Sequence, residues 1–101
     1  MPKVNVKMET GAKYGAVVGV KKLKFDAKGE AEIEVDAESS QLLVWWLMGS
    51  PGAKYKITLS TSSKVHKIKI ETPGWENPIE SAISTHKFDT SGHARFSVVK
   101  K

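Results

Sequence analysis

Three histidines, His66, His86 and His93, are the side chains of this sequence whose ordinary titration lies nearest neutral pH. No two of them stand at His-Glu-x-x-His or another short ligand spacing, so a metal centre is not expected. Cysteine is absent, which removes thiolate sites, disulfides and cysteine nucleophiles together. Ser39, Ser40, Ser50, Ser60, Ser62 and Ser63 all stand among turn-forming residues, and none lies in a Gly-x-Ser-x-Gly elbow. Glu30, Glu32 and Glu34 share one parity. They read as a solvated row facing lysines rather than as the two carboxylates that flank a glycosidase cleft. Gly49-Ser-Pro-Gly52 lacks the lysine and the length of a phosphate loop and reads as a hairpin turn. No catalytic residue, metal or cofactor is expected.

The tryptophans carry more information. Gln41-Leu-Leu-Val-Trp-Trp-Leu-Met48 is apolar without alternation, and neighbouring residues of a strand point to opposite faces. Trp45 and Trp46 therefore cannot enter the same core. One of them packs on a second layer, a covering loop, a partner subunit or a ligand such as a sugar ring. Trp75 lies in Thr72-Pro-Gly-Trp-Glu-Asn-Pro78, an irregular segment stiffened by two prolines. It serves either as a plug over the open end of the fold or as a recognition residue on a loop.

A third candidate surface is basic. A hairpin of residues 53–60 and 64–70 through Thr61-Ser-Ser63 would present Lys54, Lys56, Lys67 and Lys69 together, as edge protection or as a stripe for an anionic polymer or lipid surface. The formal charge of +5 belongs wholly to residues 41–101, which hold nine bases against four acids; residues 1–40 hold seven of each. Arg95 is the single arginine, which counts against base-specific reading of nucleic acid, where the planar guanidinium fork is favoured.

These side chains need strands to position them. Val4, Val6 and Met8 alternate with polar residues, as do Ala31, Ile33 and Val35, then Tyr55, Ile57 and Leu59, then Ala94, Phe96 and Val98. Turn formers separate the runs at 26–29, 37–40, 49–52, 60–63, 72–74 and 89–92. The rhythm predicts an all-β chain of about eight short strands, a small antiparallel β-sandwich of immunoglobulin-like or jelly-roll-like type. The 101 residues suit one domain spanning 1–101, with 40% hydrophobic and 27% charged residues, as in an ordinary globule. The apolar run at 42–48 falls short of the roughly 18 residues of a membrane span. Met-Pro-Lys-Val-Asn-Val-Lys lacks the apolar stretch of a secretory signal, so the cytoplasm is the default compartment, with export by another route left open.

Residues 23–35 align without gaps on residues 86–98, with Lys, Phe-Asp, Gly, Ala and Val coinciding. Asp-x-x-Gly suits a type I turn in which the aspartate accepts backbone hydrogen bonds and the glycine turns left-handed. Pairing Asp26 with Glu30 sets Phe25 against Ala31, Lys24 against Glu32, Leu23 against Ile33 and Lys22 against Glu34. In the second copy Phe88 would face Ala94, and His86 would face Phe96 as a core or rim residue, while Lys87 would meet Arg95. His93 would be exposed beside the turn, and His66, sharing the parity of Ile68 and Ile70, half-buried. This Phe-Asp-x-x-Gly-x-Ala-x-(Ile/Phe)-x-Val pattern resembles a hairpin of immunoglobulin-like sandwich modules in bacterial surface and multidomain proteins, over two segments that make up about a quarter of the chain. The resemblance implies a sandwich fold and a non-catalytic role in structure or adhesion. The chain departs from immunoglobulin domains proper in having neither the core cysteines nor a single tryptophan at the usual isolated position.

The function expected is a non-catalytic structural or protein-interaction module, docking on another protein or on itself. The alternative is a module for carbohydrate or an anionic polymer, using Trp75 with one of Trp45 and Trp46, or the lysine stripe.

Overall fold

The computed structural model describes residues 1–101. Nine strands alternate with turns: β1 (Lys3–Thr10), β2 (Lys13–Val18), β3 (Lys21–Lys22), β4 (Glu30–Glu34), β5 (Gln41–Met48), β6 (Lys54–Thr61), β7 (His66–Ile70), β8 (Ile79–Ala82) and β9 (Asp89–Lys100). They form two antiparallel sheets, ordered β4-β1-β6-β8 and β3-β2-β5-β9-β7, packed face to face as a small β-sandwich. No helix is long and apolar enough to cross a membrane.

The alternating runs place their apolar residues inward. Val4, Val6 and Met8 of β1, Tyr55, Ile57 and Leu59 of β6, and Ala94, Phe96 and Val98 of β9 are all buried. Ala31, Ile33 and Val35 are buried with them. Each Val, Ile, Leu, Met or Phe among them contributes about 1.5–3 kcal/mol when fully buried, and this drives the two sheets together.

The turn at Asp26 forms as the sequence predicts. Oδ1 of Asp26 accepts from Lys28 N (2.8 Å) and Glu30 N (3.0 Å), Gly29 N donates to Asp26 O (3.0 Å), and Gly29 has φ +78°. A Cβ at Gly29 would also collide with the carbonyl of Met8, so glycine is required twice over. The ladder beyond the turn differs from expectation. β3 and Leu23 stay with β2, where Leu23 N donates to Ala16 O (2.9 Å), whereas β4 pairs with β1. The predicted hairpin has opened into a corner between the sheets. β1 offers the glutamates the partners that Lys22 and Lys24 were expected to supply, since Lys3, Asn5 and Lys7 stand opposite Glu34, Glu32 and Glu30. Lys3 Nζ lies 3.5 Å from Glu32, and Asn5 donates to Glu30 at 3.0 Å. Pairing with β1 also packs Val4 and Val6 beside Ile33 and Ala31, so one ladder satisfies both faces.

The second copy is no hairpin. Residues 89–100 run as one strand, Gly92 is not left-handed, Phe88 is 73% exposed, and His86 on the preceding turn is exposed too rather than at the core or rim. Asp89 to Phe96 are all held against β5, and a turn at 89–92 would forfeit that ladder. The expected hairpin of residues 53–60 and 64–70 is also absent. β6 lies in the four-stranded sheet and β7 at the edge of the five-stranded one, so Thr61-Ser-Ser63 crosses between layers.

Candidate functional site

β5 is the central strand of the five-stranded sheet, with β2 on one side and β9 on the other. Its inward residues Leu43, Trp45 and Leu47 are fully buried. Its outward residues therefore make a row of Leu42, Val44, Trp46 and Met48 along the middle of the opposite face.

The two tryptophans are seated in the same manner on opposite faces. Trp45 stands opposite Gly92 of β9, and a Cβ on Gly92 would lie only 2.5 Å from the indole. The buried indole N–H donates to Tyr55 OH at 3.1 Å. Trp46 stands opposite Gly15 of β2, and a Cβ there would penetrate the indole. Each ring covers a cross-strand glycine. Trp45 does so inside the core, and Trp46 does so outside it with 38% of its surface open.

Trp75 belongs to the interior side. Its half-buried ring meets Trp45 edge-on at a centroid distance of 5.5 Å and packs against the core. Asn77 ties the segment down, accepting from Leu59 N (3.0 Å) and donating to Leu59 O (2.7 Å), as the next rung of the β6–β8 ladder would. The four lysines are divided between the sheets. Lys54 and Lys56 lie on the outward face of the four-stranded sheet, where Lys56 is 3.9 Å from Glu80. Lys67 and Lys69 stand opposite Val99 and Ser97, on the face that carries Trp46. Of the seven sequence-predicted residues, the structure gathers Trp46, Lys67 and Lys69 on one surface and sends Trp45, Trp75, Lys54 and Lys56 elsewhere.

No family model, curated protein or solved structure matches this chain.

The surface has members the sequence reading did not single out: Leu42, Val44 and Met48, with Val17 of β2 opposite Val44. Their signal was the unbroken apolar run itself, since a central strand with a covered outer face and one with an open outer face read alike. Beside Trp46 lies a depression of about 450 Å³ lined by Met48, Lys87, Asp89, Thr90 and Ser91. The outward face of the four-stranded sheet carries no comparable apolar row. Its outward positions on β4, β1 and β6 are Glu30, Glu32 and Glu34, Lys3, Asn5, Lys7 and Glu9, and Lys54, Lys56, Thr58 and Ser60.

The remaining chemistry is local. Ser63 Oγ lies 2.6 Å from the half-buried His66 Nδ1, a contact three residues apart in the inter-sheet turn. No group of three His, Asp or Glu side chains is placed to hold a metal ion. The carboxyl of Asp26 is held below the usual carboxylate range, chiefly by the Glu30 N–H and next by the Lys28 N–H.

Proposed function

We propose that this domain is a non-catalytic protein-interaction module that docks a partner through the outward face of its five-stranded sheet, with Trp46 as the anchor. The observation that carries the reading is the half-open indole laid over Gly15 in an outward apolar row where Met48 is exposed as well and Leu42 and Val44 are half-buried. Large aromatics at the centre of a flat, otherwise aliphatic patch are the usual energetic anchors of protein interfaces. The outward face of the opposite sheet supports it by contrast, since β4, β1 and β6 present only polar side chains there and that face has little to gain from being covered. The resemblance to immunoglobulin-like modules adds support for a non-catalytic role through its first segment, the one that forms the expected turn.

A carbohydrate-binding reading is favoured by one feature, the depression beside Trp46. There an aromatic surface adjoins the hydrogen-bonding groups of Asp89, Thr90 and Ser91, as a sugar ring requires. The partner reading accounts for more of the surface, because a sugar on Trp46 leaves Leu42, Val44 and Val17 uncovered.

The cysteine-free chain allows a direct test. Ser91→Cys places a thiol opposite Trp46, and Ser60→Cys places one on the outward face of the other sheet. Each is labelled with a photoreactive maleimide and irradiated in extract of the source cell. Protein adducts at position 91 and not at 60 are expected. Equal adducts at both, or none at 91, overturn the interaction reading. Glycan retention by the wild type that is lost in Trp46→Ala, without protein adducts, selects the carbohydrate reading instead.

A further inference from the structure

The two sheets end in edge strands of opposite charge. β7 closes the five-stranded sheet and pairs with β9 alone, while β4 closes the four-stranded sheet and pairs with β1 alone. They lie at opposite sides of the sandwich, because β4 borders a depression of about 300 Å³ shared with residues 21–24, at the far end of the five-stranded sheet from β7. The outward side chains at these edges are Lys67 and Lys69 on β7 and Glu32 and Glu34 on β4, all exposed.

The backbone groups left free at each edge follow from the bonds already made. Glu71 N donates to Arg95 O (2.8 Å) and Lys101 N to Val65 O (3.1 Å), so the odd-numbered residues of β7 bond to β9. His66, Ile68 and Ile70 therefore aim their N–H and C=O groups past the edge. On β4 the Asp26 turn takes up both groups of Glu30, and Val35 N donates to Pro2 O (3.1 Å), so Glu32 and Glu34 aim theirs past the edge. The free groups of β7 thus belong to residues whose side chains face the core, and those of β4 to residues whose side chains face outward.

We infer that the chain assembles head to tail, with β7 of one copy adding in parallel to β4 of the next. In an antiparallel ladder the residues that bond stand directly opposite and share a face, which would put Ile68 beside a glutamate. In a parallel ladder a bonding residue stands opposite a non-bonding one, so Ile68 faces Ile33. Its N–H donates to Glu32 O and its C=O accepts from Glu34 N, while His66 O accepts from Glu32 N and Ile70 N donates to Glu34 O. The same register sets Lys67 beside Glu32, Lys69 beside Glu34 and Ile70 beside Val35. Within one copy β4 and β7 run in opposite directions. Turning a second copy by half a turn about the axis that crosses its strands levels its four-stranded sheet with the five-stranded sheet of the first, keeps the core sides together and makes the two edge strands parallel. The ladder starts at the same place on both, since Asp26 occupies β4 before Glu32 and β7 begins at His66.

Like edges repel. Two copies of β7 paired about Ile68 set Lys67 against Lys69, and two copies of β4 set Glu32 against Glu34. Each edge is guarded against its own kind and open to the other. The contact is heterologous, so every added copy leaves one edge of each kind free and the row stays open.

This contact is separate from the Trp46 face, and its test distinguishes the two. Sedimentation velocity of the full chain is run from about 0.01 to about 1 mM in about 0.05 M salt, where the average mass is expected to rise past that of a dimer and to fall back in about 0.5 M salt. Lys67→Glu/Lys69→Glu and Glu32→Lys/Glu34→Lys change exposed side chains, and each is expected to weaken association about tenfold or more. An equimolar mixture of the two is expected to restore it, because the acidic β7 of one then meets the basic β4 of the other. Ile68→Pro removes an N–H that β9 does not use, and is expected to keep the β circular dichroism and lose the association. Trp46→Ala is expected to leave association unchanged. A monomer at every concentration overturns the inference, as does growth that stops at a dimer, a mixture that fails to restore it, or an Ile68→Pro chain that assembles like the wild type. Association lost in Trp46→Ala would move the self-contact to the Trp46 face. Protein adducts at Ser91→Cys from a chain that stays monomeric would retain the interaction module and discard the edge contact.

Discussion

The indole of Trp46 covers Gly15, its directly opposed partner on β2, so closely that no side chain fits beneath it. Glycine is a weak strand former, and its use in a central ladder is explained by what rests on it. The same relationship recurs on the other face, where Trp45 covers Gly92. The difference between the two lies in where the displaced ring can go.

Gly15→Val is expected to leave the fold intact and swing Trp46 out into solvent, costing less than about 1 kcal/mol because the ring has open water to enter. Gly92→Val forces Trp45 against a full core and breaks its hydrogen bond to Tyr55, so a loss of about 3 kcal/mol or more is expected. Denaturant unfolding of the two variants checks the ordering, and a red-shifted emission in Gly15→Val checks the displacement. Equal losses would mean that the two rings are equally confined.

Trp75→Ala removes a half-buried ring that closes over Trp45. A loss of roughly 2–3 kcal/mol is expected, below the ~3–5 kcal/mol of a fully buried aromatic. Trp46→Ala should cost under about 1 kcal/mol, since its ring rests on the surface. Unfolding curves that reversed this order would contradict the assignment of Trp75 to the interior and Trp46 to the exterior.

Asp26 has a folded-state carboxyl held below its ordinary value of 3.8 by two backbone N–H groups. A lowered acid stabilises the fold above its unfolded-state value and loses that contribution as pH falls through the lower folded-state value. Asp26→Asn keeps the amide oxygen and removes the charge. The wild type is therefore expected to be the more stable at neutral pH, with the difference shrinking as pH drops below 3.8. Thermal melts of both proteins from neutral to strongly acidic buffer measure the convergence, and a constant gap would contradict it.

Glu38 has φ +62° in the turn between β4 and β5, where its N–H donates to Val98 O at 2.8 Å. A left-handed backbone costs a side chain about 1–2 kcal/mol that glycine avoids, against roughly 0.5–1 kcal/mol of extra unfolded-state entropy. Glu38→Gly is therefore expected to stabilise by roughly 0.5 kcal/mol, whereas Glu38→Ala, which keeps the strain, gains nothing. Equilibrium unfolding distinguishes the two.

Local alternation alone determines much of this protein. The inward residues of β1, β4, β6 and β9, the left-handed glycine after Asp26, and the opposite facing of Trp45 and Trp46 all follow from the strand period of two and the chemistry of one turn. Strand partners did not follow. Glu30, Glu32 and Glu34 have equally suitable lysines near them in sequence and across the sheet on β1, and only the packing of Val4 and Val6 beside Ala31 and Ile33 chooses between them. The two repeat segments share their residues and not their fate. Asp26 and Gly29 turn at a free corner, whereas Asp89 and Gly92 are held straight along β5 beneath Trp45.

The candidate surface divides in the same way. That one tryptophan of the pair must leave the core was determined by the chain alone, because adjacent strand residues cannot share a face. Which one leaves, and that Lys67 and Lys69 join it while Lys54 and Lys56 do not, was decided by the tertiary structure. An apolar run without alternation carries no marker of its buried side, and a charged strand reveals its neighbours only once the sheets have been assembled from segments far apart in sequence.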